Sequence, residues 1–260
     1  MLKSRVEALD KQVCTLTARS KVDLRSILRV SHVKAVNIVC SGEGNLKICE
    51  ELTGLLVMCG HILIRLKLCS MNITEAYIST DNELSKLENL TIEDCLWKQV
   101  TDLGLLKLLN ICGENLRVLK ISAFSTSEKI TLDGLHRQFN RLERMELSCS
   151  QISEKALCLL LTSSKVSLKQ LKLGARIICT GEELTNLDSL GKLHTLEIGV
   201  YVSITERGFY ELLRLCQSSL KTLIMKLNFL PFCIHPSHFL GKAQLLVQLY
   251  LSYSSMISQE

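Results

Sequence analysis

The residues of this sequence that could perform chemistry are few, and only three of them stand close together. Cys233, His235 and His238 form a Cys-x-His-x-x-His group that could supply zinc with three ligands and one open position. No second Cys/His pair stands at a supporting spacing, and Pro236 indicates an irregular loop within the group. We therefore predict no metal site.

The other histidines are scattered singly, at His32, His61, His136 and His194. The sequence has no Gly-x-Ser-x-Gly nucleophile turn, no His-Glu-x-x-His helix and no Gly-rich phosphate-binding loop. We predict that the protein is not an enzyme and that it has no catalytic residues and no cofactor.

Twelve cysteines are present, but their positions argue against a disulfide framework. Four of them fall where the repeat described below buries a small side chain: Cys59, Cys95, Cys112 and Cys216. The first residues are charged, so we expect no export signal, and no apolar run is long enough to cross a membrane. Free thiols without an export signal favour a cytoplasmic or nuclear protein.

The net charge of +5 comes from 31 basic and 26 acidic residues and is mild for 260 residues. Lysines and arginines are spread along the chain, without a cluster dense enough to follow a phosphate backbone. We therefore do not expect the protein to bind nucleic acid.

The elements that position these residues follow a repeat. The pattern L-x-x-L-x-L, with Val, Ile or Met allowed, occurs nine times at intervals of 24 to 30 residues and a mean of about 26. It begins at Val33, Leu63, Leu87, Leu116, Leu142, Leu168, Leu193, Leu220 and Leu246. A chain with this period is predicted to be one continuous array, in which each unit buries its apolar face against its neighbours.

A second signature lies between the predicted strands. The position four residues before a strand start is occupied by Cys59, Cys112, Ser164 or Cys216, and a pair of leucines precedes each of them. After the strands come Ile73-Thr74, Val100-Thr101-Asp102, Ile130-Thr131, Ile152-Ser153-Glu154 and Ile204-Thr205-Glu206. We interpret Thr or Ser as a helix N-cap and the acid as a favourable first-turn charge, so each unit is predicted to contain a capped helix.

These motifs resemble the cysteine-containing class of leucine-rich repeats found in F-box/LRR proteins. The third unit carries the likeness with Leu87-x-x-Leu90-x-Ile92-x-x-Cys95, followed by Val100-Thr101-Asp102-Leu103-Gly104 and Cys112. The resemblance implies an α/β solenoid (horseshoe) with an inner parallel β-sheet, outer helices and about nine repeats of about 26 residues over 33–260. Residues 1–32 are expected to form an N-terminal cap or degenerate repeat.

The same resemblance implies a protein–protein interaction module, as in substrate recognition by F-box/LRR ubiquitin-ligase receptors. Nothing before Val33 resembles an F-box, so a ubiquitin-ligase adaptor is an expected partner only if an F-box lies outside this chain. Two alternatives stay open: the repeat region of an NLR-type sensor, and an enzyme inhibitor or regulator resembling ribonuclease inhibitor.

Partner binding is expected on the concave face, where the third and fifth residues of each L-x-x-L-x-L pattern point. The fifth positions are Asn37, Lys67, Thr91, Lys120, Glu146, Lys172, Glu197, Ile224 and Tyr250. Lysines and glutamates alternate in the middle of this row, which either neutralises itself or forms a charged docking site.

Apolar residues interrupt the row near the C-terminal end, and aromatic anchors are common at binding hot spots. The candidate partner-binding residues are Tyr201, Ile224, Phe229, Tyr250, Tyr253, Lys120 and Lys172. The alternative for the aromatic residues is that they cover the last unit of the array.

Overall fold

A computed structural model describes most of the chain. The described residues are 13–18, 35–40, 52–54, 56–57, 59–78, 83–93, 100–122, 129–148, 151–174, 177–199, 202–227 and 248–253. No described helix is long and apolar enough to cross a membrane.

The strands of the described residues form one large and one small parallel sheet. In chain order they are β1 (Val13–Ala18), β2 (Ala35–Cys40), β3 (Arg65–Cys69), β4 (Asn89–Glu93), β5 (Val118–Ser122), β6 (Arg144–Leu147), β7 (Gln170–Leu173), β8 (Ile178–Cys179), β9 (Thr195–Ile198), β10 (Ser203–Ile204), β11 (Thr222–Leu227) and β12 (Gln248–Tyr253). The large sheet has ten strands in the order β1-β2-β3-β4-β5-β6-β7-β9-β11-β12, and β8 pairs with β10. This confirms the predicted α/β class with a parallel sheet.

Alternation of burial along the strands places the core on one side of the large sheet. In β4, Leu90 and Ile92 are fully buried, whereas Asn89, Thr91 and Glu93 are half-buried. The seven pattern-opening leucines that the structure describes, from Leu63 to Leu220, are buried with them, and the helices pack on the same side. Each strand therefore buries its apolar residues against the connection that follows it, as expected for an array of stacked units.

The register of the sheet agrees with the predicted rows of side chains. Residues at the third position pair from Ala35 to Gln248, and residues at the fifth position pair from Asn37 to Tyr250, without a slip between β2 and β12. The spacing of apolar residues is sufficient to predict this register, because a slip by one residue would move every leucine to the exposed face.

Helices occupy only some of the connections. Three helices are described along their whole length: α1 (Asp102–Ile111), α2 (Glu154–Ser164) and α3 (Glu206–Cys216), which begin 52 residues apart. Further helical residues lie at 52–54, 56–57 and 59, between β2 and β3. The connections that hold them span 22 to 24 residues between strands. Two connections whose described residues form a 3₁₀ turn and no α-helix, at Glu75–Tyr77 and Leu184–Asn186, span 19 and 21 residues. The shorter connections leave less chain for a three-turn helix and the two turns that join it to the sheet.

The predicted helix caps are confirmed in the units that contain helices. The hydroxyl of Thr101 accepts the N–H of Gly104 at 3.0 Å, and those of Ser153 and Thr205 accept equivalent bonds at 3.1 Å. At Thr74 the prediction is wrong, because this residue precedes a 3₁₀ turn and makes no side-chain cap. Thr131 also begins no helix, since it lies in a turn bound to the preceding unit.

The predicted Cys/Ser position is also confirmed where it is described. Cys112, Ser164 and Cys216 are fully buried, and each side chain donates to the carbonyl four residues earlier, at 3.2, 2.7 and 3.1 Å. A small donor therefore fits this position because it satisfies itself within its own helix.

Near the N-terminus, β1 extends the large sheet by pairing with β2. The strand lies within residues 1–32, which the sequence predicts to be an N-terminal cap or degenerate repeat. Residues 19–34 lie outside the described residues, so the N-terminal boundary at residue 32 stays a prediction.

Candidate functional site

The candidate site is the exposed face of the large sheet, which we call the sheet face. It is formed by the third, fifth and seventh residues of each pattern, because alternate residues of a strand point to the same side. Nine adjacent strands in one register, β2 to β12, bring these residues into continuous rows. Neighbouring strands lie about 4.8 Å apart, so the rows are roughly 40 Å long.

A chain of ion pairs crosses the sheet face from β3 to β11. It runs through Lys67, Glu93, Lys120, Glu146, Lys172, Glu197 and Lys226. Each carboxylate lies between two ammonium groups. At the first of them, Glu93 is 2.5 Å from Lys67 and 2.8 Å from Lys120.

The other two carboxylates repeat this arrangement over longer distances. Glu146 lies 3.8 Å from Lys120 and 3.3 Å from Lys172. Glu197 lies 3.8 Å from Lys172 and 2.8 Å from Lys226. The ion pairs predicted among the fifth-position residues are therefore present. The shortest contacts, however, join fifth-position residues to Glu93 and Lys226, which stand at seventh positions of their patterns.

The lysines and carboxylates differ in depth. The three carboxylate side chains are 17 to 23% exposed, whereas the four lysine side chains are 33 to 49% exposed. The carboxylates are therefore the less exposed partners of these ion pairs, and the lysine side chains are the more exposed ones.

The protonation of Glu93 reflects its position between two cations. Burial alone would raise the pKa of this carboxyl, but hydrogen bonds and attraction from Lys120 and Lys67 outweigh burial and lower the pKa below 4.5. The hydrogen bond with Glu93 likewise raises the pKa of Lys67 above 10.5. Both groups are therefore charged at neutral pH.

Two arginines of the third row add positive charge to the sheet face. Arg65 and Arg144 are exposed, and neither makes an ion pair with another described residue. Arg144 instead donates from Nε to the side-chain oxygen of Gln170 at 2.8 Å.

The predicted partner-binding residues are only partly brought together. Lys120 and Lys172 belong to the ion-pair chain, two strands apart. Ile224 of β11 is half-buried and pairs with Tyr250 of β12, while Leu227 pairs with Tyr253. Tyr201 and Phe229 lie outside the described residues, as does the Cys233-x-His235-x-x-His238 group.

The third and fifth positions were predicted to face the partner, which includes Arg65 and Arg144, but Glu93 and Lys226 at seventh positions were missed. A lysine side chain is long enough to reach a seventh-position carboxylate on a neighbouring strand. Lys120 to Glu93 is such a diagonal contact. The signal was present in the sequence, since Glu93 and Lys226 stand two residues after a fifth position.

On the opposite side of the array, acids of the helices bind the turns of the following unit. Oδ1 of Asp102 accepts the N–H groups of Thr131 and Leu132 at 3.0 and 2.8 Å. Glu154 accepts those of Thr180 and Gly181 at 3.0 and 2.7 Å.

The second residue of each bound turn has a left-handed backbone. The φ angles are +56° at Leu132 and +86° at Gly181. Such a conformation is unfavourable for leucine. The two acids therefore do more than balance the helix dipole, because each holds an adjacent turn in place.

A cavity of about 540 Å³ opens beside α2. Its walls carry charges of both signs, with Lys129 and Lys155 among the cations and Glu182 and Glu183 among the anions. Lys155 already pairs with Asp133 at 2.6 Å. With Glu154 the walls hold three carboxylates and two ammonium groups, and Glu154 and Lys155 are already bound to neighbouring residues.

Six cysteines are buried among the residues that the structure describes: Cys59, Cys69, Cys112, Cys158, Cys179 and Cys216. Burial raises the pKa of Cys112, Cys158, Cys179 and Cys216 to about 12. These four groups are therefore protonated thiols at neutral pH and poor nucleophiles or metal ligands.

Among the described residues, no three His, Cys, Asp or Glu side chains are grouped so that they could hold a metal ion. The arrangement on the sheet face is suited instead to contact with an extended macromolecular surface, because it combines length, exposure and ordered charge. In comparisons with known proteins, the chain matches no protein-family profile and no curated protein sequence.

Proposed function

We propose that the chain is a leucine-rich repeat protein of the cysteine-containing class, with about nine repeats, and that it binds a protein partner on the sheet face. The observation that carries the proposal is the unbroken register of β2 to β12, which aligns the exposed residues in rows. A surface roughly 40 Å long is sufficient for a standard protein interface.

The buried Cys/Ser position and the capped helices support the repeat class, because both recur at the spacing that the sequence pattern predicts. In this proposal the protein works by binding and not by catalysis, in the way of the substrate-recognition region of an F-box/LRR receptor. Buried free thiols favour a reducing compartment, so we place the protein in the cytoplasm or nucleus.

The two alternatives differ in what they require of the same surface. An inhibitor of a basic enzyme would need an acidic sheet face, whereas the described face carries more basic than acidic side chains. The repeat region of an NLR-type sensor would use a similar surface, and only a nucleotide-binding domain elsewhere in the natural protein would separate it from a ubiquitin-ligase receptor.

Site-directed photo-crosslinking in cells tests the proposal. A benzophenone amino acid is placed at Gln170 or Thr195 on the sheet face, and at Arg207 of α3 as the matched exposed control. We expect the same adduct from both sheet-face positions and none of that mass from Arg207. Adducts that form only at Arg207, or equally at all three positions, would contradict a binding site on the sheet face.

Identification of the crosslinked protein separates the versions of the proposal. A partner whose turnover slows when the chain is depleted supports substrate recognition for a ubiquitin ligase. A partner enzyme whose turnover is unchanged but whose activity rises supports the regulator alternative.

A further inference from the structure

The charges of the sheet face are unequal in number. Between β3 and β11 its described residues include three carboxylates and six cations, which are Arg65, Lys67, Lys120, Arg144, Lys172 and Lys226. All three carboxylates are already engaged by lysines of the same face. The surface offered to a partner is therefore positive, although the chain as a whole is only mildly basic.

The cations are also the outermost groups. Lys172 is 40% exposed and Lys226 49%, while Glu197 between them is 17% exposed. An approaching carboxylate would thus meet ammonium groups before it meets Glu197. Arg144 adds a guanidinium whose Nη groups can hold a carboxylate, because its hydrogen bond to the described residues uses only Nε.

The lysines recur on every second strand of the sheet. Lys67, Lys120, Lys172 and Lys226 lie on β3, β5, β7 and β11, with one strand between each two in the sheet order. Strands about 4.8 Å apart place the fifth-position lysines Lys67, Lys120 and Lys172 roughly 10 Å apart, and Lys226 lies two residues further along its own strand. A ligand that pairs with all of them therefore needs negative charges at the same interval.

We propose that the partner contributes an extended acidic segment that crosses the strands, with a carboxylate at every third residue. A polyproline-II segment has three residues per turn and rises about 3.1 Å per residue, so residues i, i+3 and i+6 share one side at intervals of about 9 Å. This inference rests on the proposed function, because it names the chemistry of the partner at the same surface.

The spacing disfavours a nucleic acid as the ligand. A nucleic acid strand carries a phosphate about every 3.4 Å of helix axis. Phosphates at this density would lie against Glu93, Glu146 and Glu197, which occupy the positions between the lysines. A peptide with wider charge spacing avoids these carboxylates.

Fluorescence anisotropy with a synthetic peptide tests the inference. The probe is a labelled repeat of Glu-Pro-Ala, and the comparison peptide has the same composition with its glutamates in one block. We expect the triplet peptide to bind several-fold more tightly than the block peptide. Its affinity should fall as salt rises from about 0.05 to about 0.5 M, because exposed charges are then screened.

Two single variants test the contribution of individual charges, and a third is the control. Arg144→Gln and Lys226→Gln should each weaken binding of the triplet peptide about threefold, in the range of one exposed ion pair. Lys165→Gln removes the same charge near the end of α2, where Lys165 pairs with Asp188 at 2.9 Å, and should leave binding unchanged. Equal loss in all three variants, or equal binding of the two peptides, would overturn the inference.

Two further outcomes are decisive. Tighter binding of single-stranded DNA than of the triplet peptide would assign the surface to nucleic acid and overturn the proposal. Absence of peptide binding would also overturn it, while a crosslinked partner at Gln170 and Thr195 would leave the proposed function standing. The two failures are therefore distinguishable.

Discussion

At the scale of single residues, burial and charge pairing determine what each strand contributes. The residues of β5 alternate between the core and the exposed face of the sheet. Leu119 and Ile121 are fully buried, while Lys120 between them pairs with two carboxylates. The apolar neighbours stabilise the array through burial. Lys120 adds ordered charge to the exposed face, and its contribution to stability is small because it remains partly in water.

Leu119→Ala should lower the free energy of unfolding by about 2–5 kcal/mol, because it leaves a cavity in a fully buried site. Urea unfolding followed by circular dichroism measures the change. Val118→Ala is the matched control, since Val118 is only half-buried and lies on the sheet face. A Leu119→Ala protein as stable as the Val118→Ala protein would contradict the assigned burial of the two rows.

Glu93 should make stability depend on pH. Its pKa is lower in the folded protein than its usual value of 4.5, so the unfolded chain binds the proton more readily. The stabilisation is present above about pH 4.5 and is lost as the pH falls through the folded pKa.

Glu93→Gln should therefore cost about 0.5–1 kcal/mol at pH 7, a modest value because the ion pairs are partly exposed. The difference from the wild type should shrink as the pH approaches 3. Urea unfolding of both proteins at several pH values measures it. A difference that stays constant from pH 7 to pH 3 would show that the lysines do not stabilise the ionised carboxylate.

At the scale of elements, capped helices and bound turns join one unit to the next. The helices α1, α2 and α3 each start with a capping hydroxyl, and in α1 and α2 the adjacent acid binds a turn of the following unit. These contacts span 26 to 30 residues of sequence, so they hold together neighbours in the array. The first turn of α1 and of α2 therefore also binds the following unit through a carboxylate.

Ser153→Ala should reduce stability by about 1 kcal/mol, because it removes the acceptor for the N–H of Ala156. Thr74→Ala should cost less, since Thr74 stands before a 3₁₀ turn and makes no side-chain cap. Thermal unfolding of the two variants compares them directly. The reverse order of stabilities would contradict the assignment of helical and non-helical units.

At the scale of the whole molecule, each unit depends on its neighbours for burial. The six buried thiols extend from Cys59 to Cys216 and so sample most of the array. Their protection from reagents reports whether the units open singly or together.

Thiol labelling of the folded protein should leave at least six cysteines unmodified. Of the twelve in the chain, six are buried among the described residues, so no more than six should react with N-ethylmaleimide under native conditions. All twelve should react in guanidinium chloride, and intact mass counts the adducts. Rapid native labelling of more than six would contradict the packing of these thiols.

The sequence alone determined the parallel register and the rows of side chains on each face of the sheet. Apolar residues at a regular spacing are sufficient for this, because any slip would expose the leucines to water. The caps at Thr101, Ser153 and Thr205 were also predictable, since capping is a local interaction between a hydroxyl and the backbone three residues later.

Only the tertiary structure decided which units hold helices and which charges pair. Thr74 and Thr131 carry the same local signal as Thr101, but their units have shorter connections to the next strand. Lys120 approaches Glu93 more closely than the predicted partner Glu146, at 2.8 Å against 3.8 Å. Contacts of this kind depend on side-chain reach across neighbouring strands, which the spacing of residues along one strand does not specify.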